Sequence, residues 1–205
     1  MVELLAPAGD FEALEAALMY GADAVYLGGP KLQLRAKRTA FDETGLQKAV
    51  AMAHEKGKKV YVTVNAFAYD DEIDRTADYA RYLFDIGADA AIVGDIGILC
   101  AIKDAAPELA VHVSTQANCM NARAARAYWD MGAARVVLSR EVSLEQIAEI
   151  HSRIPAQLEL EAFVHGAMCM AYSGRCIISS YLAGRSGNRG LCAQPCRWNY
   201  VLLEE

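Results

Sequence analysis

Along this chain, short unbroken apolar runs alternate with stretches whose apolar residues recur every three or four positions. One block comes back three times, as Gly21-Ala22-Asp23-Ala24-Val25-Tyr26-Leu27-Gly28, Gly87-Ala88-Asp89-Ala90-Ala91-Ile92-Val93-Gly94 and Gly132-Ala133-Ala134-Arg135-Val136-Val137-Leu138-Ser139. A glycine after an amphipathic stretch takes the left-handed position that ends a helix, and the apolar run behind it marks a strand covered on both faces. The pattern predicts seven strands, at 4–6, 24–27, 60–65, 91–93, 111–114, 135–139 and 158–164. Helices are predicted between them at 11–19, 43–54, 73–84, 98–105, 122–129 and 144–150. Strand and helix together recur about every 27 residues, the spacing of a βα unit.

Two architectures satisfy this alternation, a closed eight-stranded barrel and an open doubly wound sheet. Both place ligands at the C-terminal ends of the strands. A Rossmann sheet carries G-x-G-x-x-G after its first strand, whereas here Ala6-Pro7-Ala8-Gly9-Asp10 follows, with Asp10 suited to cap a helix. The expected fold is therefore α/β, a parallel (β/α)8 TIM-barrel-like arrangement with seven strands in this chain and the eighth missing. Residues 1–166 form the barrel, and 167–205 form a Gly- and Cys-rich loop that starts the final barrel segment of the same domain.

Composition narrows the picture. At 205 residues, with 54% hydrophobic and 22% charged, the chain suits one domain around a single core. No apolar run reaches the roughly 18 to 20 residues that cross a bilayer, and the N-terminus has neither a basic leader nor a cleavage site. The expected location is the cytoplasm. A net charge of −6 argues against a protein that coats nucleic acid. Two local basic groups remain suited to phosphates: Arg35, Lys37 and Arg38, and Arg175, Arg185, Arg189 and Arg197.

In a barrel, polar residues just past each strand line the mouth. Here these are Asn65, Asp95, Gln116, Asn118, Ser139, Arg140, Glu141 and His165. Asp95 and Ser143 read as helix caps, the latter with Gln146 at capping-box spacing. Asn65, Gln116 and Arg140 are expected to bind substrate, with His165 and Glu161 as the catalytic candidates. His54 and His151 read as surface residues.

Four of the six cysteines, Cys169, Cys176, Cys192 and Cys196, fall within 28 residues amid several glycines. In a reducing compartment such a group points to metal rather than disulfides. Zinc and iron–sulfur clusters both accept four thiolates, and the C-x6-C…C-x3-C spacing leaves both open. Cys100 reads as a core residue; Cys119 lies near the mouth, where it could replace a ligand or act on substrate.

The stretch Glu161-Ala162-Phe163-Val164-His165-Gly166-Ala167-Met168-Cys169-Met170-Ala171-Tyr172-Ser173-Gly174-Arg175-Cys176-Ile177-Ile178-Ser179 resembles the signature of the collagenase-like peptidases of family U32. Further similarity runs through Leu5-Ala6-Pro7-Ala8-Gly9, Ser114-Thr115-Gln116-Ala117-Asn118 and Asn188-Arg189-Gly190-Leu191-Cys192-Ala193-Gln194-Pro195-Cys196. The resemblance implies one of two chemistries. The family was named for proteolysis, for which Cys169 with His165 is the available pair. Several members are instead oxygen-independent hydroxylases with a 4Fe-4S cluster on four cysteines, and the branch most like this chain hydroxylates the wobble uridine of tRNA with prephenate as hydroxyl donor. On that reading Cys169, Cys176, Cys192 and Cys196 hold the cluster, and Arg140 and Arg175 neutralise the donor's carboxylates. A third class is a non-catalytic barrel stapled by zinc. Relatives continue into an eighth strand, so an open seam and a homodimer across it are also expected.

Overall fold

The computed structural model describes residues 2–33, 41–166, 168–172 and 175–201. Its strands are β1 (Leu5–Pro7), β2 (Ala24–Gly28), β3 (Lys59–Val64), β4 (Ala90–Val93), β5 (Ala110–Val113), β6 (Arg135–Val137) and β7 (Glu159–Glu161). They form one parallel sheet in the order of the sequence. Helices α1 (Phe11–Met19), α2 (Glu43–Glu55), α3 (Asp70–Ile73), α4 (Thr76–Asp85), α5 (Ile96–Ala105), α6 (Ala122–Asp130) and α7 (Leu144–Ser152) intervene, and α8 (Ile178–Ala183) lies beyond β7. This is a TIM-barrel-like α/β fold with seven strands. Arg35, Lys37 and Arg38 lie outside the described residues.

Alternation along the strands sorts the side chains into two cores. The residues facing outward, among them Val25, Leu27, Val60, Val62, Val64, Val93, Val111, Val113 and Leu138, pack with Leu14, Leu46, Leu83, Leu99 and Ile102 of the helices. Burying each such side chain contributes about 1.5–3 kcal/mol. The residues facing inward include a smaller cluster of Ala24, Tyr61, Ala90 and Ile92, with Leu5, Tyr26 and Ala110 against it. The bore is thus filled rather than hollow.

Helix starts follow the predicted caps. The Asp10 side chain accepts from the Ala13 N–H at 2.8 Å, Asp95 from Gly97 at 2.7 Å, and Ser143 and Gln146 form a reciprocal capping box. Gly21, Gly87 and Gly132 all have positive φ, at 95°, 82° and 95°, as the repeated block requires.

Several predicted bounds need correction. The helix expected at 73–84 runs from Thr76 to Asp85, and a separate single turn, Asp70–Ile73, capped by Glu72 on the Tyr69 N–H, precedes it. The strands expected at 135–139 and 158–164 stop at Val137 and Glu161. Beyond β7 no further strand occurs among the described residues, and none pairs β7 with β1. Cys100 is exposed: α5 turns Ile98, Leu99 and Ile102 inward and leaves the thiol on its outer face.

Candidate active site at the barrel mouth

At the C-terminal ends of the strands, small and polar residues replace the large apolar ones. Gly94, just past β4, is a point of close approach. A Cβ there would stand 2.9 Å from the Asn65 carbonyl oxygen and 3.3 Å from Gln116 Oε1. Past β5, Ser114 caps a single 3-10 turn, Thr115–Ala117, and Asn118 follows in the left-handed region at φ 57°. The turn buries Gln116 to 5% exposure, and among the described residues its Oε1 has no hydrogen-bond partner. Asn118 Oδ1 is likewise buried and unpaired, while its Nδ2 donates to the Tyr172 carbonyl at 3.1 Å. Arg140, half-buried past β6, places its guanidinium 4.2 Å from the centre of the Phe163 ring, a cation–π distance. His165 is exposed just past β7, beside Gly166 at φ 128°.

The cysteine-rich segment docks across this mouth at two places. On the β5 side, Arg175 Nε donates to the Gln116 carbonyl at 3.0 Å, and the Tyr172 hydroxyl meets the Met120 sulfur. On the β3 side, the Phe67 N–H donates to the Asn188 carbonyl at 3.3 Å, and Arg189 donates to the Phe67 carbonyl at 2.8 Å. Arg189 also grips both oxygens of Glu72, at 2.6 and 2.7 Å, and lies over the Tyr69 ring at 4.4 Å. The Arg189 guanidinium, then the Tyr69 N–H, hold the Glu72 carboxyl down to about 2. This corrects the phosphate-gripping role expected of Arg189, whose charge is already matched within the protein. Arg197 donates to the Met168 carbonyl at 3.1 Å, and Arg185 is exposed.

Beneath the mouth lies a charged floor that the apolar patterning did not reveal. Arg135, 8% exposed along its side chain, donates to Glu159 at 2.5 Å, to Glu3 at 2.7 Å and to Glu161 at 3.4 Å. Tyr61 donates to Glu3 at 2.8 Å and packs edge-on against His112, with ring centres 4.5 Å apart. Burial raises the Glu3 carboxyl, but Arg135, Tyr61 and Lys59 outweigh it and hold the group at about 2. Burial dominates at Glu161 and raises its carboxyl despite Arg135. Burial, then the Arg135 charge, lower His112 to about 3, so its ring is neutral. Glu161, expected as a catalytic group, thus stands within this floor. The one cue in the sequence was an arginine opening an otherwise apolar strand, since a buried guanidinium demands carboxylate partners.

The four clustered cysteines differ in their surroundings. Cys176 Sγ accepts the Ile178 N–H at the start of α8, and Cys192 Sγ accepts the Gln194 N–H, each at 3.4 Å. A Cβ on Gly187 would lie 3.7 Å from Cys192 Sγ and 3.8 Å from the Cys176 carbonyl, so these two residues flank one glycine. Cys169, Cys192 and Cys196 are exposed. Among the described residues no three His, Cys, Asp or Glu side chains converge as a metal-ligating group. The donor set itself fits a thiolate-held centre, and N–H groups aimed at sulfur are what stabilise a ligating thiolate. Ligation would draw the segment closed around the group. Cys119 is 1% exposed, its thiol directed at the Asn121 carbonyl and pushed up by burial, which suits a neutral core thiol.

The model of peptidase family U32 matches residues 9–205. The chain belongs to this family. Its U32 relatives include the tRNA hydroxylation protein P of Escherichia coli K12, 42% identical over 202 residues that make up 98% of this chain and 44% of that protein. The 23S rRNA 5-hydroxycytidine synthase of the same organism is 40% identical over 204 residues, covering 100% of this chain and 30% of its own length. The chain therefore spans less than half the length of these relatives. Among solved structures, the U32 peptidase Mk0906 superposes with a TM-score of 0.67, over 79% of this chain and 68% of its own, at 17% identity. At that identity the likeness shows a shared fold. No described helix of the U32 chain is long and apolar enough to cross a membrane.

Proposed function

We propose that this U32 chain is the barrel of an RNA hydroxylase that places a hydroxyl on C5 of a pyrimidine, at the wobble uridine of tRNA. One observation carries the reading: identity runs over nearly the whole chain to relatives named for hydroxylation of two different RNAs. Prephenate is the proposed hydroxyl donor. The proposed cofactor is a 4Fe-4S cluster on Cys169, Cys176, Cys192 and Cys196, with structural zinc as the alternative occupant. Such a substrate places the protein in the cytoplasm.

When bound, an iron–sulfur centre supplies redox and Lewis-acid chemistry beside the mouth. The protein's own groups do the rest. Arg140 and the remaining N–H groups of Arg175 set the carboxylates of the donor. Asn65 and Gln116, which meet beside Gly94, hydrogen-bond the substrate. His165, exposed at the rim, carries a proton between solvent and the reacting groups. Glu161, fixed on Arg135, keeps the floor of the site in place. The peptidase reading needs Cys169 activated by His165, yet among the described residues no hydrogen bond joins the two. The free edges of β1 and β7, flanked by exposed Val2, Leu4 and Val164, support a homodimer across the seam as part of the same proposal.

Nucleoside mass spectrometry tests the reaction. RNA from cells lacking the gene is expected to have lost a 5-hydroxypyrimidine nucleoside, restored by the wild-type gene but not by the Cys169→Ala/Cys176→Ala variant. An unchanged nucleoside profile would overturn it.

A further inference from the structure

We propose that Gln116 reads the Watson–Crick edge of a pyrimidine turned out of its RNA stack into the barrel mouth. The proposal rests on the RNA hydroxylase reading and names what that site recognises.

A buried polar group without a partner is costly, and a site that keeps one is arranged for a ligand to satisfy it. The mouth keeps two, on one 3-10 turn and two residues apart. Gln116 is 5% exposed, and among the described residues its Oε1 is unpaired beside Gly94, 3.3 Å from where a Cβ on that glycine would stand. Asn118 Oδ1 is unpaired as well, and its orientation is settled because Nδ2 is already given to the Tyr172 carbonyl. The backbone of Gln116 is anchored by Arg175, whose Nε donates to its carbonyl at 3.0 Å, so the side chain extends from a fixed base.

These are acceptors, and acceptors repel a carboxylate. The donor's carboxylates belong at Arg140 and Arg175, and a ligand meeting Gln116 Oε1 brings an N–H. A primary amide places a donor beside an acceptor, and its last torsion is soft and roughly two-fold, so either end can face the ligand. Uracil offers N3–H beside O4, and cytosine offers N4–H beside N3. Turning one amide matches either pyrimidine. Unstacked bases are read on this edge by RNA-binding proteins generally. Contact at N3 and position 4 leaves C5 and C6 on the other side of the ring, free for chemistry.

The test measures binding, independent of turnover. Anaerobically purified chain would be titrated into labelled single-stranded oligoadenylate carrying one central uridine, cytidine or N3-methyluridine. The uridine and cytidine RNAs are expected to bind alike, and the N3-methyluridine RNA about tenfold more weakly, since its methyl replaces the N–H that Oε1 accepts. Gln116→Leu should bind all three at the weak level. Gln116→Met, close in shape but with neither donor nor acceptor for the base edge, should do the same should the leucine variant fail to fold. Equal binding of uridine and N3-methyluridine by the wild type, or discrimination that survives in the folded variants, would overturn the proposal. Discrimination in a chain whose absence leaves the cellular nucleoside profile unchanged would uphold base reading and count against the hydroxylase reading alone.

Discussion

Arg135 holds three glutamates and so ties distant parts of the inner barrel together. Glu3 lies before β1, while Glu159 and Glu161 lie on β7, so the guanidinium bridges the two edges of the sheet from within. Arg135→Ala would leave Glu161 about four-fifths buried without its ion-pair partner, and Glu3, buried as deeply, held by Lys59 and Tyr61 alone. The expected loss is roughly 3 kcal/mol, read as a melting temperature lower by roughly 6–12 °C in a chain of this size. A variant that melts like the wild type would mean that the floor is solvated rather than load-sharing. Residues at this scale were only half legible. Periodicity showed that Arg135 begins a strand, but it cannot say which side chains meet across a bore, so Glu3 and Tyr61 went unseen. The mouth residues Asn65, Gln116 and Arg140 were legible because position just past a strand fixes their place in a parallel barrel.

Among the elements, the cysteine segment matters most, and two arginines hold it. The Arg189–Glu72 pair fastens it over α3, and Arg175 fastens it over the 3-10 turn at Gln116. Glu72→Gln should loosen the first fastening, giving several-fold faster trypsin cleavage after exposed Arg185 without loss of the barrel's melting transition. Cleavage at the wild-type rate would show that the pair does not hold the segment. Acid should act in the same direction. The Glu72 carboxyl is depressed from its ordinary 4.5 to about 2, so its contribution is complete above pH 4.5 and is lost as pH falls toward 2. This docking was hidden in the sequence because the turn that carries Glu72, Asp70–Ile73, is too short to show a periodicity ahead of the helix expected at 73–84. Helix α8 was hidden too, being a single short turn between glycine-rich stretches that favour no periodicity.

For the whole molecule, the order of strands could be read directly, because each βα repeat must lay its strand beside the last with the same hand. What a repeat cannot specify is closure. The sheet leaves β1 and β7 each paired on one side among the described residues. If a second copy covers that seam, sedimentation will show a dimer that dissociates on dilution, and a monomer at every concentration would rule it out. The central claim concerns the segment above the mouth. Its most direct test is anaerobic purification with visible absorption and assay of iron, sulfide and zinc, on the wild type and on Cys169→Ala/Cys176→Ala. A brown protein with about four irons and matching sulfide per chain, lost in the variant, is the predicted result. Stoichiometric zinc in a colourless protein, or no metal in either form, would contradict it.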